Sequence, residues 1–103
     1  MIKYNVSNVD TINEIKVTGH ANYKKFGEDI VCASVSTALI LSANLIERFG
    51  CLKNIDLSVS DGFFQLKVIK NNDTVAIILK NLYETLNELE EQYPKYIKNQ
   101  KEG

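Results

Sequence analysis

His20 is the sole histidine of the chain, and eleven residues separate it from Cys32. A thiol and an imidazole are the pair that nucleophilic acyl transfer uses: the thiolate attacks a carbonyl carbon, and the imidazole moves the protons. Cys32 lies in Asp29-Ile30-Val31-Cys32-Ala33-Ser34-Val35-Ser36, where a polar loop gives way to apolar residues at helical spacing. Asp29 is expected to be the N-cap, which predicts Cys32 in the first helical turn. Backbone N–H groups and the helix dipole favour an anion there, so the thiolate is stabilised. The same N–H groups can hold the oxyanion formed when a peptide carbonyl is attacked. Ser36 falls one turn beyond Cys32 on the same helix face. Asp29 has a second possible task, orienting His20.

The plain alternative for each of these residues is structural. A cysteine in an apolar run is more often a small buried hydrophobe than a nucleophile, and a lone histidine is more often a hydrogen-bonded surface residue. Residue types do not make a site until geometry joins them. Ser36 can simply pack on its helix, and Asp29 can be a cap alone. Gly19 and Gly27 frame the intervening loop and read as backbone hinges. Cys51 has no histidine near it in sequence and reads as structural. One His and two Cys at no recognised spacing make no zinc site, and nothing in the sequence calls for a metal or a cofactor.

The elements that must position this pair are legible from periodicity. Ile2, Tyr4 and Val6 alternate with Lys3 and Asn5, the pattern of a half-buried strand. A turn over Ser7–Asp10 leads to a second strand over Ile12–Thr18, with Ile15 and Val17 facing inward. From Ala33 the period becomes helical: Val35, Leu39, Ile46 and Phe49 form a face, flanked by Ala38, Leu41 and Leu45, and Gly50 ends it. Asp61-Gly62 predicts a two-residue hairpin turn in which Val59 faces Phe64, Leu57 faces Leu66 and Ile55 faces Val68. Every inward pair is then apolar, while Asp56 meets Lys67 on the other face. Phe63 and Phe64 read as one partly exposed and one core residue.

Asn71-Asn72-Asp73 offers caps for a second helix, whose stripe is Val75, Ile78, Leu79, Leu82, Leu86, Leu89 and Tyr93 and whose stop is Pro94. The order is strand, strand, helix, strand, strand, helix. This predicts an α+β domain over residues 1–94, an antiparallel or mixed sheet packed with two helices. Residues 95–103 are expected to be a polar, frayed C-terminal tail.

Composition narrows the function classes. The chain has 103 residues, enough for one core and too few for two domains. Its 12 basic and 13 acidic residues leave a net charge of -1, without the basic excess that phosphate neutralisation usually needs. No direct nucleic-acid partner is required. No basic region followed by an apolar run opens the sequence, so no signal peptide is expected. The longest apolar candidate, Val35–Ile46, is interrupted by Ser36, Thr37, Ser42 and Asn44 and falls short of the ~20 residues of a membrane span. A cytoplasmic protein with reduced thiols is expected.

Gly19-His20-Ala21, followed after this spacing by Asp29-Ile30-Val31-Cys32-Ala33-x-x-Ser36, resembles the bacterial ribosomal-processing cysteine protease family, often called Prp or YsxB-like. The likeness extends over essentially the whole chain. The resemblance implies a cysteine endopeptidase in which Cys32 is the nucleophile and His20 the general base, with Asp29 and Ser36 at further motif positions. It implies a substrate, the N-terminal extension of a large-subunit ribosomal protein (number twenty-seven of the L series), trimmed during ribosome assembly. It also implies a homodimer. The loop over Ala21–Glu28 is then expected to close over an extended peptide, with Gly19, Ala21 and Gly27 shaping it and Tyr23 or Phe26 lining the pocket. The rival from another class is a non-catalytic ribosome-assembly or protein-interaction module.

Overall fold

Period-two alternation and one tight turn account for most of the sheet. The computed structural model describes residues 1–19 and 28–100, with Glu28 and Asp29 as backbone only. The strands are β1 (Ile2–Ser7), β2 (Glu14–Thr18), β3 (Ile55–Ser60), β4 (Phe63–Val68) and β5 (Ile97–Asn99); the helices are α1 (Glu28–Arg48) and α2 (Asp73–Gln92). The strand order is β3-β4-β2-β1-β5. Neighbours are antiparallel except β1 and β5, which run parallel and make the sheet mixed. The expected α+β architecture is observed.

The register explains why both helices lie on one face. Tyr4 pairs with Val17, Val17 with Phe64 and Phe64 with Val59; the next row is Val6, Ile15, Leu66 and Leu57. These apolar rows share a face and, apart from Val59 at the open edge, form one core with Val31, Val35, Leu39 and Ile46 of α1 and Val75, Leu79, Leu82 and Leu86 of α2. The opposite face carries polar rows such as Asn5, Lys16, Gln65 and Ser58, with the Lys16 ammonium 5.8 Å from the Phe63 ring centroid. A one-residue slip would move every apolar row to the solvent side. The pairs of the β3–β4 hairpin are those its sequence predicts.

Four expectations about the helices and the tail are corrected. Val31 is fully buried four residues before Val35, so the core stripe starts earlier than Ala33 and α1 begins at Glu28. The stripe runs through residues 31, 35, 39, 42 and 46, and at about 100° per residue it leaves Leu41 outside. Phe49, beyond the last turn, is 63% exposed. Ile30–Arg48, 19 residues, is long and apolar enough by length and composition to cross a membrane, because its apolar residues occupy more than one face. Here one of those faces packs on the sheet. Finally, the polar tail is not frayed throughout: Ile97 is wholly buried and β5 pairs with β1.

The helix ends follow local rules. Gly50, at φ +75°, donates to the Glu47 carbonyl (2.9 Å) while the Cys51 N–H donates to Ile46 (2.9 Å), a Schellman closure. The Asn72 side chain accepts from Thr74 N–H and Val75 N–H and caps α2.

A polar cluster fastens α2 to the β1–β5 edge. The Tyr4 hydroxyl lies 2.6 Å from Asn87 Oδ1 and 3.0 Å from Glu90 Oε1, so its one proton is shared between two acceptors. The Asn99 N–H donates to Glu90 Oε2 at 3.0 Å. Burial, then the Glu90 carboxylate that takes its hydrogen bond, raise the Tyr4 pKa well above the ordinary 10.0. A raised pKa means that the unfolded chain loses the proton first. The contribution of Tyr4 to stability is therefore complete below pH 10 and is lost as pH rises above it. Urea unfolding at stepped pH is expected to show stability falling more steeply above pH ~10 in the native sequence than in Tyr4→Phe. Equal slopes would contradict this.

Candidate active site

Two segments far apart in sequence meet at the end of β2. The Gly19 N–H donates to the Gly62 carbonyl (2.9 Å), extending the β2–β4 ladder to the β3–β4 turn. Both glycines take left-handed backbone, φ +93° and +70°, which an L side chain enters only with strain. The N-terminal part of α1 lies over this junction. One ridge of α1, Cys32, Ser36, Ile40 and Ala43, faces β3 across a groove of about 320 Å³. Val17 and Phe64 contribute to its lining from the sheet, and Val59 with the 60–62 turn lines the side opposite α1. Val59, expected to face the core, is 65% exposed because α1 stops short of the edge strand.

Cys32 is half-buried on this groove and packs against the core. Ser36, one turn on, is exposed on the same wall, and Gly19 lies in the lining as well. The structure thus brings together Cys32, Ser36 and the residue that precedes His20. His20, Ala21, Tyr23, Phe26 and Gly27 lie outside the described residues. Asp29 is the second residue of α1 and not its cap, and Cys32 is the fifth, just past the first turn. Its own N–H is therefore taken into the i→i−4 ladder, and the amides without an intrahelical acceptor belong to residues 28–30. Because helical Cα–Cβ bonds tilt toward the N-terminus, the Cys32 side chain leans back toward those amides.

Cys51 has a different setting. It is buried between the helices, its sulfur 3.6 Å from the Phe49 carbonyl and 3.7 Å from Asn72 Oδ1, where it supports the start of α2. The residues that sequence reasoning missed are those of the far wall, Val59 to Gly62, and Ile40 on α1. The Asp-Gly turn was visible locally, but its nearness to Cys32 depends on which strand ends the sheet.

Known proteins share this architecture. The ribosomal processing cysteine protease Prp of Staphylococcus aureus is 30% identical over 95 residues, covering 90% of each chain. The crystal structure of an essential ribosomal processing protease Prp from S. aureus in complex with a substrate peptide superposes with a TM-score of 0.83 at 30% identity, over 96% of this chain and 97% of that one. The S. aureus protease with a covalently linked product peptide gives a TM-score of 0.77 at 29% identity, over 95% and 94% of the two chains. The model of the family described as cysteine protease Prp matches residues 1–98, and the chain belongs to that family.

Proposed function

We propose that this chain is a cysteine endopeptidase that removes the N-terminal extension of a bacterial large-subunit ribosomal protein, number twenty-seven of the L series, during ribosome assembly. The observation that carries the reading is the half-buried Cys32 thiol on the wall of a groove of about 320 Å³, in a chain of the cysteine protease Prp family. The relatives captured with a substrate peptide and with a covalently linked product peptide support a peptide substrate and covalent catalysis.

The Cys32 thiolate attacks the scissile carbonyl carbon, forming a C–S bond as the carbonyl electrons move to oxygen. First-turn amides of α1 hold that oxyanion. His20, protonated on taking the thiol proton, gives it to the leaving amine as the C–N bond breaks. Water, deprotonated by His20, then hydrolyses the thioester and restores the thiol. Asp29 and Ser36 act as positioning residues for the pair, and the loop over Ala21–Glu28 closes on the peptide with Tyr23 or Phe26 against it. The enzyme works in the cytoplasm as a homodimer; the exposed Ile30 and Leu41 on the outer side of α1 supply apolar surface for that association.

Two measurements on the purified protein test the reading together. Incubation with the ribosomal-protein precursor is expected to yield the trimmed protein and the released extension by mass spectrometry. Iodoacetamide is expected to label the half-buried Cys32 at least ~10-fold faster than the buried Cys51. Intact precursor together with equal, slow labelling of both thiols would leave a non-catalytic assembly module as the better description.

A further inference from the structure

The two edges of the sheet are built differently. β5 is three residues long and carries one apolar residue, Ile97, which is buried. β3 is six residues long, in unbroken register with β4, and holds no proline and no lysine, two of the devices that usually blunt an exposed edge. Its free edge also borders the groove that contains Cys32.

The ladder says which backbone groups face that edge. The Ile69 N–H donates to the Asn54 carbonyl (2.8 Å), and the Val68 N–H turns the other way, to Asn13 of the segment preceding β2 (2.8 Å). Hydrogen-bonded and non-hydrogen-bonded pairs alternate along an antiparallel ladder. Asp56, Ser58 and Ser60 therefore bond to β4, while the N–H and C=O groups of Ile55, Leu57 and Val59 point away from it. The Ile55 N–H is used by the Leu52 carbonyl. Leu57 and Val59 remain, and among the described residues no strand lies beyond them.

The side chains beside these groups suit an extended apolar segment. α1 runs antiparallel to β3, since its C-terminal end leads through Cys51 and a short 3-10 helix directly into Ile55. The ridge Ser36, Ile40, Ala43 thus follows β3 from the Cys32 end of the groove. The lining is mostly apolar, and Asp61 is the single charged residue among the described residues that form it.

We infer that the substrate binds as a sixth strand on the free edge of β3, hydrogen-bonded to the main chain of Leu57 and Val59, with every second side chain turned into the groove between Val59 and Ile40. This deepens, and rests on, the protease reading above. Main-chain pairing supplies affinity and alignment, while the alternate apolar side chains supply selection. The pairing delivers the scissile bond to Cys32 because the groove is continuous from the Val59–Gly62 wall to the start of α1.

Backbone amide exchange by NMR tests this, using Cys32→Ala protein saturated with a peptide spanning the extension and its junction. Exchange at Leu57 and Val59 is expected to slow at least ~10-fold, with Asp56 and Ser58, already bonded to β4, changing less than ~2-fold. In wild-type turnover, esters replacing successive peptide amides are expected to raise KM about 10-fold at every second position and little between. A peptide that is cleaved and saturates without slowing Leu57 and Val59 overturns the sixth strand and leaves the protease reading intact. Slowing of those two amides that depends on protein concentration without peptide assigns the edge to a second copy and overturns the inference. A peptide that neither binds nor is cleaved overturns both readings.

Discussion

Cys32→Ala is expected to lower kcat/KM for the precursor peptide by about 10⁴-fold or more, with no loss of folding. The thiol is the only protein group in the proposed reaction that bonds to the substrate carbon, and what remains without it is direct water attack aided by binding and oxyanion stabilisation. His20→Ala is expected to have an effect of the same order, because the pair acts as a unit; the double variant should then be little worse than either single one. Cys51→Ala is expected to stay within about 3-fold of the native activity, since its sulfur is buried in the core and hydrogen-bonds to Phe49 and Asn72 at the junction of the helices, away from the groove that Cys32 lines. Discontinuous chromatography of the peptide products, with circular dichroism as the folding control, checks all four variants. A Cys32→Ala protein that cleaves within 10-fold of native would remove the nucleophile assignment, whatever His20 does.

Gly19→Ala is expected to cost about 2–4 kcal/mol, more than the same methyl group costs at Gly50. Two effects combine. At φ +93° a side chain is strained, and a Cβ built there would sit 2.2 Å from the Met1 carbonyl oxygen. That oxygen cannot retreat easily, because the next residue is held: the Ile2 N–H donates to Tyr96 (2.9 Å) and Ile2 pairs with Ile97. Gly50→Ala isolates the first effect, since at φ +75° its Cβ would have nothing within 4 Å. It is expected to cost about 1 kcal/mol. In thermal unfolding the two variants should separate by several degrees. Equal Tm values would show that the chain start yields freely. Gly19 also leads into His20, so any folded Gly19→Ala protein is expected to lose activity beyond its lost stability.

The hairpin over residues 55–68 was readable because its information is local. A two-residue turn and an alternating pattern admit one register, and Val59↔Phe64, Leu57↔Leu66 and Ile55↔Val68 are that register. The α2 stripe and its Asn72 cap were readable for the same reason. The start of α1 was misjudged because Asp29 has the chemistry of a cap, while the burial of Val31 outweighs it and draws the helix back to Glu28. β5 escaped notice since three residues with one apolar side chain carry no periodic signal. Its stability comes from parallel pairing with β1, from nearly the other end of the chain.

The candidate site divides along the same line. The inventory is legible residue by residue: a single histidine, a cysteine near the start of an apolar helix, a glycine before the histidine, and a motif spacing that resembles one protease family. Those features depend on neighbours within a few residues, where propensity and capping act. Packing of the assembled layers makes β3 the last strand among the described residues, docks the Asp61-Gly62 turn on Gly19, and so lets Cys32, Ser36 and Val59 border one groove. Strand order is set by how the whole apolar surface is buried, a property of the assembled layers that no short window of residues contains.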